Sequence, residues 1–436
     1  MTDRSARSSV GFDTVPRRPT PVTIALFAIV VVASSLFAAG FKESGLWVIE
    51  QLGGFRDPIQ AAAGLGVVRA GLLVAASTVL ASVLARISAR RWPHRSGLDA
   101  IAASARGEDR PISLAATLVR TFGTWITFIG LLPIGRESAI LETGGAFGSW
   151  IARRFRGNGS TMATAGIAAA FATAYHAPIA AILYLEEHLR IRGSRRAAKF
   201  TIGGAIGGHM IATVWLAGRP LLPAVHASAG QLAVAGAVVV IPAAVTARLF
   251  LEARQRHTVV RADLSWRRWL LRTSVAAATT GAIVALVPLA AGNGMDALRR
   301  TPVGMSLGVA FALALSAGKF VGNTAALAAG APGGALTPTM TIAAGTALLV
   351  ITGLHAAGVD LIYVWGAVAL SSAAAIAVGL RAPLTAVVLV PEMTGHLSLI
   401  PATAVVVIGA VAIDRLVDQT LHRVRGRVAL VLDEDG

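Results

Sequence analysis

The feature that most constrains this chain is a series of apolar runs, each about 20 residues long, the length that an α-helix needs to cross a bilayer. The runs recur from Pro21 almost to the C-terminus and leave no room for a separate soluble domain. The 436 residues are 55% hydrophobic and only 14% charged, which argues against a water-soluble enzyme. We therefore predict an all-α integral membrane protein with one membrane domain, residues 21–424.

The net charge of +17 comes from arginines in short clusters between the apolar runs, so it does not indicate a nucleic-acid partner. Arginines before the first run and after the last are Arg4, Arg7, Arg17, Arg18, Arg415, Arg423, Arg425 and Arg427. The positive-inside tendency then places both termini in the cytoplasm and requires an even number of crossings. The predicted cytoplasmic segments are residues 1–20 and residues 425–436. The span-length run from Val22 to Gly40 predicts an uncleaved first helix.

Glycine and proline interrupt several runs where a simple spanning helix would not need them. The interrupted segments read GRESAILETGG, HAPIAAI, GAPGGALTPTM and RAPLTAVV. Non-helical backbone at membrane depth is tolerated only where protein or a water-filled cavity surrounds it, because an unpaired amide in hydrocarbon costs several kcal/mol. The breaks therefore indicate a functional site inside the membrane.

The two halves of the chain contain related segments. Residues Ala177–Glu187 resemble Ala382–Glu392 at a constant offset, and each copy follows a glycine-rich break. Paired interrupted segments are typical of transporters with inverted repeats and a site between the halves. We predict halves of approximately 21–217 and 218–424.

The segment GAPGGALTPTM is a candidate anion site. A helix that starts inside the membrane presents unpaired N–H groups and the positive end of its dipole. Gly333 and Gly334 would let the backbone turn and an ion approach, so the amides near Ala335 and Leu336 would face an anion. The alternative is that these glycines only let helices pack closely.

Glu137 is an acid at the end of a long apolar run, where an ionisable side chain is by default a functional hypothesis. If it lies at the other half-helix start, its carboxylate competes with an anion for the same amides. Protonation would then release it, so one side chain would serve as gate and proton carrier. The alternative is an Arg136–Glu137 pair at the membrane interface.

Glu186 and Glu187 lie beside His188 at the end of a helical segment. They are interpreted as a solvated helix end, or as acids of which one collects protons for a deeper carboxylate. A membrane-embedded hydrolase built on these residues would need metal ligands or a nucleophile that the spacing does not provide. We predict no enzyme activity, no cofactor and no metal. Glu142 is a second unusual acid without an assigned role.

Four of these segments, taken in order, resemble the CLC family of chloride channels and chloride/proton antiporters. GRESA is similar to the family's GREGP, and GAPGGALTP to its GAPGGIFAP. AAAFATAYHAPIAAILYLEE is similar to AAFNAPLAGILFIIEE, and RAPLTAVVLVPEMT to RAPLTGIILVLEMT. With a partial motif at Ser96 they extend to Thr394, which is most of the chain.

The resemblance implies roles for several residues. Glu137 would correspond to the external gating glutamate, which blocks the anion path and swings away when protonated. Glu187 would correspond to the internal proton-transfer glutamate of the antiporters. Backbone amides at Arg136, Glu137, Ala335 and Leu336 would line the anion sites.

The chain departs from the family in two places. Of the motif GSGIP it keeps only Ser96 and Gly97, and the serine hydroxyl would donate to a central anion or cap the helix that follows. The family's central tyrosine, expected near residues 421–423, is missing, with His422 as a candidate substitute. Its absence favours loose coupling between chloride and protons.

The resemblance implies a homodimer with one anion path per subunit, exchanging chloride for protons across a bacterial plasma membrane. Its partners would be chloride, protons and the lipid bilayer. A passive or weakly coupled chloride channel is the alternative, which the missing tyrosine favours and Glu187 disfavours. Nothing around Ser96 supports a fluoride exporter.

Overall fold

A computed structural model describes residues 20–434, apart from residues 107–111, 156, 192–194, 216–217, 258–263, 302–307 and 360–362. It does not describe the side chains of residues 195–196 and 421–434. The arginines of residues 1–19, residues 435–436 and the side chain of His422 therefore lie outside the described part of the chain.

The described part of the chain is built from α-helices, with a few short 3-10 and π segments and no sheet. The α-helices are, in order, α1 Pro21–Gly53, α2 Pro58–Arg91, α3 Leu98–Ala105, α4 Leu114–Ile129, α5 Glu137–Arg154, α6 Gly159–Tyr175, α7 Pro178–Glu187, α8 Arg195–Met210, α9 Ala229–His257, α10 Trp266–Leu286, α11 Met295–Arg300, α12 Val309–Leu313, α13 Lys319–Ala328, α14 Leu336–Ala356, α15 Val364–Gly379, α16 Pro383–Thr394 and α17 Ile400–Glu434.

Several of these helices have the length and composition of membrane spans. In the described residues, six helical stretches qualify: Pro21–Arg91, Ala229–His257, Trp266–Leu286, Val309–Ala328, Leu336–Ala356 and Leu397–Thr420. Others, such as Leu114–Ile129 and Pro383–Thr394, are apolar but shorter. This mixture of long and short apolar helices is what the glycine and proline breaks predict, and the prediction of an all-α membrane fold is confirmed.

The helices begin in two different ways. Thr20, Asp57, Ser113 and Asn158 cap α1, α2, α4 and α6, each accepting a hydrogen bond from an amide in the first turn. Such caps satisfy N–H groups that have no acceptor within the helix. Within the described residues, the positions before α3, α5 and α14 provide no side-chain cap. The first turns of α5 and α14 therefore lack a cap from the preceding residue, whereas at the start of α3 the backbone of Leu98 bonds to the Glu142 carboxylate.

Small residues let the interior helices approach closely. A Cβ atom at Gly144 of α5 would lie 3.0 Å from the carbonyl carbon of Gly166 in α6. Close approach of backbones over small residues is a common way to pack helices in a membrane, where there is no water to drive them together. α15 is buried from Trp365 to Gly379. Of the helices that begin at a break, α5 and α14 are buried along most of their length, whereas Ile179 of α7 and Leu384 of α16 are exposed.

The two halves are related by reciprocal contacts. Gly135 and Gly334, which precede α5 and α14, form an antiparallel bridge, each donating its N–H to the other's carbonyl at 2.9 and 2.6 Å. α7 and α16 also contact each other reciprocally, as described below. Mutual contacts between equivalent positions require an approximate two-fold relation. The order α5, α6, α7 recurs as α14, α15, α16, as expected for a chain of two repeated halves.

Candidate functional site

The two glycine-rich breaks meet at the centre of the molecule. At Gly135 an added Cβ atom would lie 2.8 Å from the carbonyl oxygen of Gly334, which explains why glycine is required there. Immediately after this bridge α5 begins at Glu137 and α14 at Leu336. Two uncapped helix starts therefore face one place, as the sequence predicts.

Glu137 lies at this meeting point and is 7% exposed. Its Oε1 atom accepts hydrogen bonds from Asn293 Nδ2 at 2.6 Å and from Thr337 Oγ1 at 2.9 Å. Its Oε2 atom has no hydrogen-bond partner among the described residues. Arg136 instead places its guanidinium over the Phe128 ring, 4.2 Å from the centroid. The carboxylate is thus held by two neutral donors and not by its neighbouring arginine.

Asn293 and Thr337 are functional candidates that sequence reasoning missed. Asn293 Oδ1 accepts the N–H of Met295 at 3.1 Å, which orients the amide so that Nδ2 points to Glu137. Thr337 follows Leu336 in the first turn of α14, so its position beside a predicted helix start is a signal that the sequence contains. No local pattern indicated Asn293, because its partner is 156 positions away in the chain.

A buried lysine fixes the segment that carries Asn293. Lys319 is fully buried, and its Nζ donates to the carbonyls of Ala290, Ala291 and Gly292 at 2.7, 3.1 and 2.5 Å. Three acceptors match the three donors of an ammonium group. The only signal in the sequence was a lysine within the apolar stretch Val309–Ala328.

A cavity of about 380 Å³, the central cavity, brings most of the predicted anion-binding residues together. Its lining includes Ser96, Gly97, Glu137, Gly334, Ala335 and Leu336. The starts of α3, α5 and α14 therefore face one space. Because helix starts with unpaired amides attract anions, this cavity is a candidate anion site.

Glu137 also lines a second space on its other side. This narrow cavity of about 30 Å³ is bordered by the basic residues Lys42, Arg136 and Arg299. Glu137 and Tyr175 line both cavities. The carboxylate therefore stands between the central cavity and a basic opening, and Arg136 contributes to the opening rather than to the central cavity.

Ser96 lies two residues before the start of α3. Its hydroxyl is half-buried and 3.4 Å from the hydroxyl of Ser88. Gly97, with φ of +99°, precedes the first helical residue, and the structure gives α3 no side-chain cap. The serine therefore does not act as the helix cap that the sequence allowed, and its hydroxyl lines the central cavity.

Glu142, unassigned from the sequence, forms an ion pair beside the central cavity. It is 1% exposed and lies 3.1 Å from Arg120 Nε. A buried carboxylate needs such a partner, because its charge is expensive without one. Tyr175 and Tyr184 line the same cavity. The position predicted for the missing tyrosine, near residue 422, lies outside the described side chains.

Glu187 caps a helix of the other half. Its oxygens accept the N–H groups of Leu384 and Thr385 at 2.7 and 2.6 Å, and the Thr385 hydroxyl at 2.8 Å. Reciprocally, Glu392 accepts the N–H groups of Ile179 and Ala180 at 2.9 and 2.8 Å. Each carboxylate thus satisfies two amides at the start of the partner helix, α16 or α7.

A third space, the arginine cavity, has a volume of about 640 Å³ and lies beside these caps. Its lining includes Glu187, His188, Arg106, Arg190, Arg254 and Arg381. His188 lines this cavity and the central cavity, whereas Glu187 is not in the lining of the central cavity. Glu186 is exposed.

The sequence model of the voltage-gated chloride channel family matches residues 76–415. An H(+)/Cl(−) exchange transporter, ClcA of Salmonella arizonae, is 26% identical over 91% of this chain and 86% of its own length. A voltage-gated ClC-type chloride channel, ClcB of Salmonella typhi, is 26% identical over 70% of this chain and 75% of its own length.

Solved structures agree in fold. A slow cyanobacterial Cl−/H+ antiporter superposes with a TM-score of 0.76 at 19% identity, over 91% of this chain and 95% of its own. A CLC-type fluoride/proton antiporter gives 0.70 at 18% identity, over 90% and 96%. The match to the family model identifies a multi-pass membrane transport protein and not an enzyme. The chain belongs to the voltage-gated chloride channel family.

Proposed function

We propose that this protein exchanges chloride for protons across a membrane, with Glu137 as the gate. The observation that carries the proposal is the position of Glu137 between the central and narrow cavities, at the meeting point of two uncapped helix starts. The curated relative from Salmonella arizonae that moves both ions supports the choice of substrates.

Chloride would bind in the central cavity. The amides at the starts of α5 and α14 and the hydroxyl of Ser96 are neutral donors, which can hold an anion without a fixed cation that would trap it. The carboxylate of Glu137 would compete with chloride for the same amides. While it is ionised it closes the path, and chloride passes when it leaves.

Protonation would move the gate. A neutral carboxyl group loses its attraction to the positive helix starts, so it can leave the place that chloride then takes. Since the same group carries a proton when it moves, each cycle ties proton movement to chloride movement. A second titratable group must deliver protons from the arginine cavity; Glu187, which the family resemblance predicts, and its neighbour His188 are both candidates, since both line that cavity.

Substitution of the gate tests the proposal. In reconstituted vesicles, Glu137→Gln should abolish proton movement driven by a chloride gradient while chloride still moves, because glutamine is neutral at every pH. The wild-type protein measured beside it should move protons against their gradient. Wild-type chloride flux without proton movement would reject exchange and favour the alternative function.

That alternative is a passive or weakly coupled chloride channel. It is favoured by the sequence near residue 422, where no tyrosine stands, and by similarity to a curated relative that is itself a channel. A missing phenol would remove a constriction and an anion ligand from the path. Cytoplasmic termini and a bacterial plasma membrane remain the proposed arrangement, supported by the terminal arginines.

A further inference from the structure

We propose that His188, rather than Glu187, passes protons between the arginine cavity and the central cavity that reaches Glu137. This inference rests on the proposed exchange of chloride for protons and names the second proton-transfer residue within it. The two neighbouring residues differ in what their side chains already do.

The carboxylate of Glu187 has a structural role. Both of its oxygens accept backbone N–H groups of α16, and one also accepts the Thr385 hydroxyl. Protonation would remove an acceptor from amides that have no other partner within their helix. Since Glu392 makes the equivalent bonds to α7, the arrangement is explained by helix capping alone.

His188 occupies the junction of the two cavities. The residue lines both of them, and its ring stacks on Tyr184, with centroids 4.8 Å apart. Its Nδ1 atom lies 2.6 Å from the carbonyl oxygen of Leu380. A carbonyl only accepts, so Nδ1 carries a hydrogen, and Nε2 is the nitrogen that can bind and release a proton.

Groups of both signs surround the ring. Arg254 and Arg190 are the positive charges that act on it, and Asp99 is a negative one. None of the ion pairs among the described residues involves His188. A proton carrier must release what it binds, which a fixed ion pair would hinder. Asp99 also lines both cavities, but it is exposed to solvent.

The sequence agrees with this assignment. Counted from the Ala-Pro pair, the last acid of the family motif APLAGILFIIEE is the twelfth residue. In this chain Glu187 is the eleventh residue and His188 the twelfth, counted from Ala177. Alignment without a gap therefore matches His188, not Glu187, with the family's final acid.

The transfer needs only N–H and O–H bonds. Water in the arginine cavity gives a proton to Nε2, and the ring becomes an imidazolium. Nε2 then releases the proton to water in the central cavity, the ring returns to its neutral form, and the carboxylate of Glu137 takes the proton. No other bond forms or breaks.

The test compares two variants of nearly equal shape in reconstituted vesicles. His188→Glu retains a titratable group and should keep proton movement driven by a chloride gradient. His188→Gln should lower proton movement by about a hundredfold or more, the low end of what a positioned acid–base group contributes. Chloride flux, measured in the same vesicles, should remain in both and reports that the variants fold.

Three controls complete the experiment. His188→Asn can keep a donor to the Leu380 carbonyl without titrating, so it separates lost proton transfer from a lost hydrogen bond. His396→Asn alters a histidine whose Nδ1 lies 2.6 Å from the Val225 carbonyl, away from these cavities, and should behave as wild type. Glu187→Gln should keep protons moving.

Two results would overturn the inference while leaving exchange intact. One is coupled proton movement in His188→Gln and His188→Asn at the wild-type level. The other is loss of proton movement in Glu187→Gln or Asp99→Asn together with its retention in His188→Gln. Failure of the wild-type protein to move protons uphill is a different outcome, because it rejects the proposed exchange and this inference with it.

Discussion

At the scale of single residues, the gate is distinguished by neutral partners. Asn293 and Thr337 donate to one oxygen of Glu137, and the other oxygen has no described partner. A strong ion pair would lock the carboxylate, whereas hydrogen bonds from neutral donors to a charged group are each worth about 1.5–3 kcal/mol net. The gate is therefore held firmly enough to close and weakly enough to open.

Loss of one donor should open the gate more often. Thr337→Val removes the bond to Glu137 and keeps the shape of the side chain, so chloride flux at a fixed pH should rise by about tenfold or more, as expected for the loss of a bond to a charged group worth about 1.5–3 kcal/mol. Thr339→Val is the matched control, since that buried hydroxyl donates to the Ala335 carbonyl of its own helix. Equal chloride fluxes in the two variants would contradict the assigned role of Thr337.

At the scale of elements, the site depends on how the helices start. α5 and α14 begin without side-chain caps and lie against each other through Gly135 and Gly334. α7 and α16 begin with caps supplied by the opposite half. The first pair of helix starts is left open for an ion, and the second pair is closed for stability.

A substitution that forces the starts of α5 and α14 apart should lower chloride transport. In Gly135→Ala the new methyl group would lie 2.8 Å from the Gly334 carbonyl oxygen and would also meet the Glu137 carboxylate. Chloride flux should fall at least about tenfold, since a displacement of 1 Å at a binding site can cost that much or more. Gly353→Ala in α14 meets no atom within 4 Å and should transport normally. Normal chloride flux in Gly135→Ala would show that the helix starts tolerate separation.

Loss of the cap on α7 or of the cap on α16 should lower the stability of the protein to a similar extent. Glu187→Gln and Glu392→Gln each weaken two amide bonds, so each should lower stability by about 1 kcal/mol. Their effects should add, because the two carboxylates share no partner. Thermal unfolding in detergent measures both, with Glu186→Gln as an exposed control. A neutral Glu392→Gln would mean that its bonds to α7 contribute nothing.

At the scale of the whole molecule, the fold and the location of the site could be predicted from the sequence. A spanning helix needs an apolar run of a certain length, and an interrupted helix needs glycine or proline at the break. Both requirements are local, so they are visible in the sequence, as is the repeat. Asn293, Lys319 and the cap role of Glu187 could not be predicted. Their partners lie 27 to 198 positions away, and only the packed structure brings them together.

Assembly is the remaining prediction at this scale. The family resemblance implies a homodimer with one anion path per subunit, so the mass in detergent, corrected for bound detergent, should be near twice 44.7 kDa. Since each subunit contains its own Glu137 and central cavity, a mixed dimer with one Glu137→Gln subunit should keep about half of the proton movement. A monomeric mass with full transport would reject the dimer.

The two spaces beside Glu137 differ greatly in size, about 380 Å³ against about 30 Å³. The smaller has room for about one water molecule. An anion that arrives through the central cavity can keep part of its hydration shell until it reaches the carboxylate, whereas one that arrives through the narrow cavity must shed nearly all of it first. Bulky organic anions should therefore plug the path from one face of the membrane only.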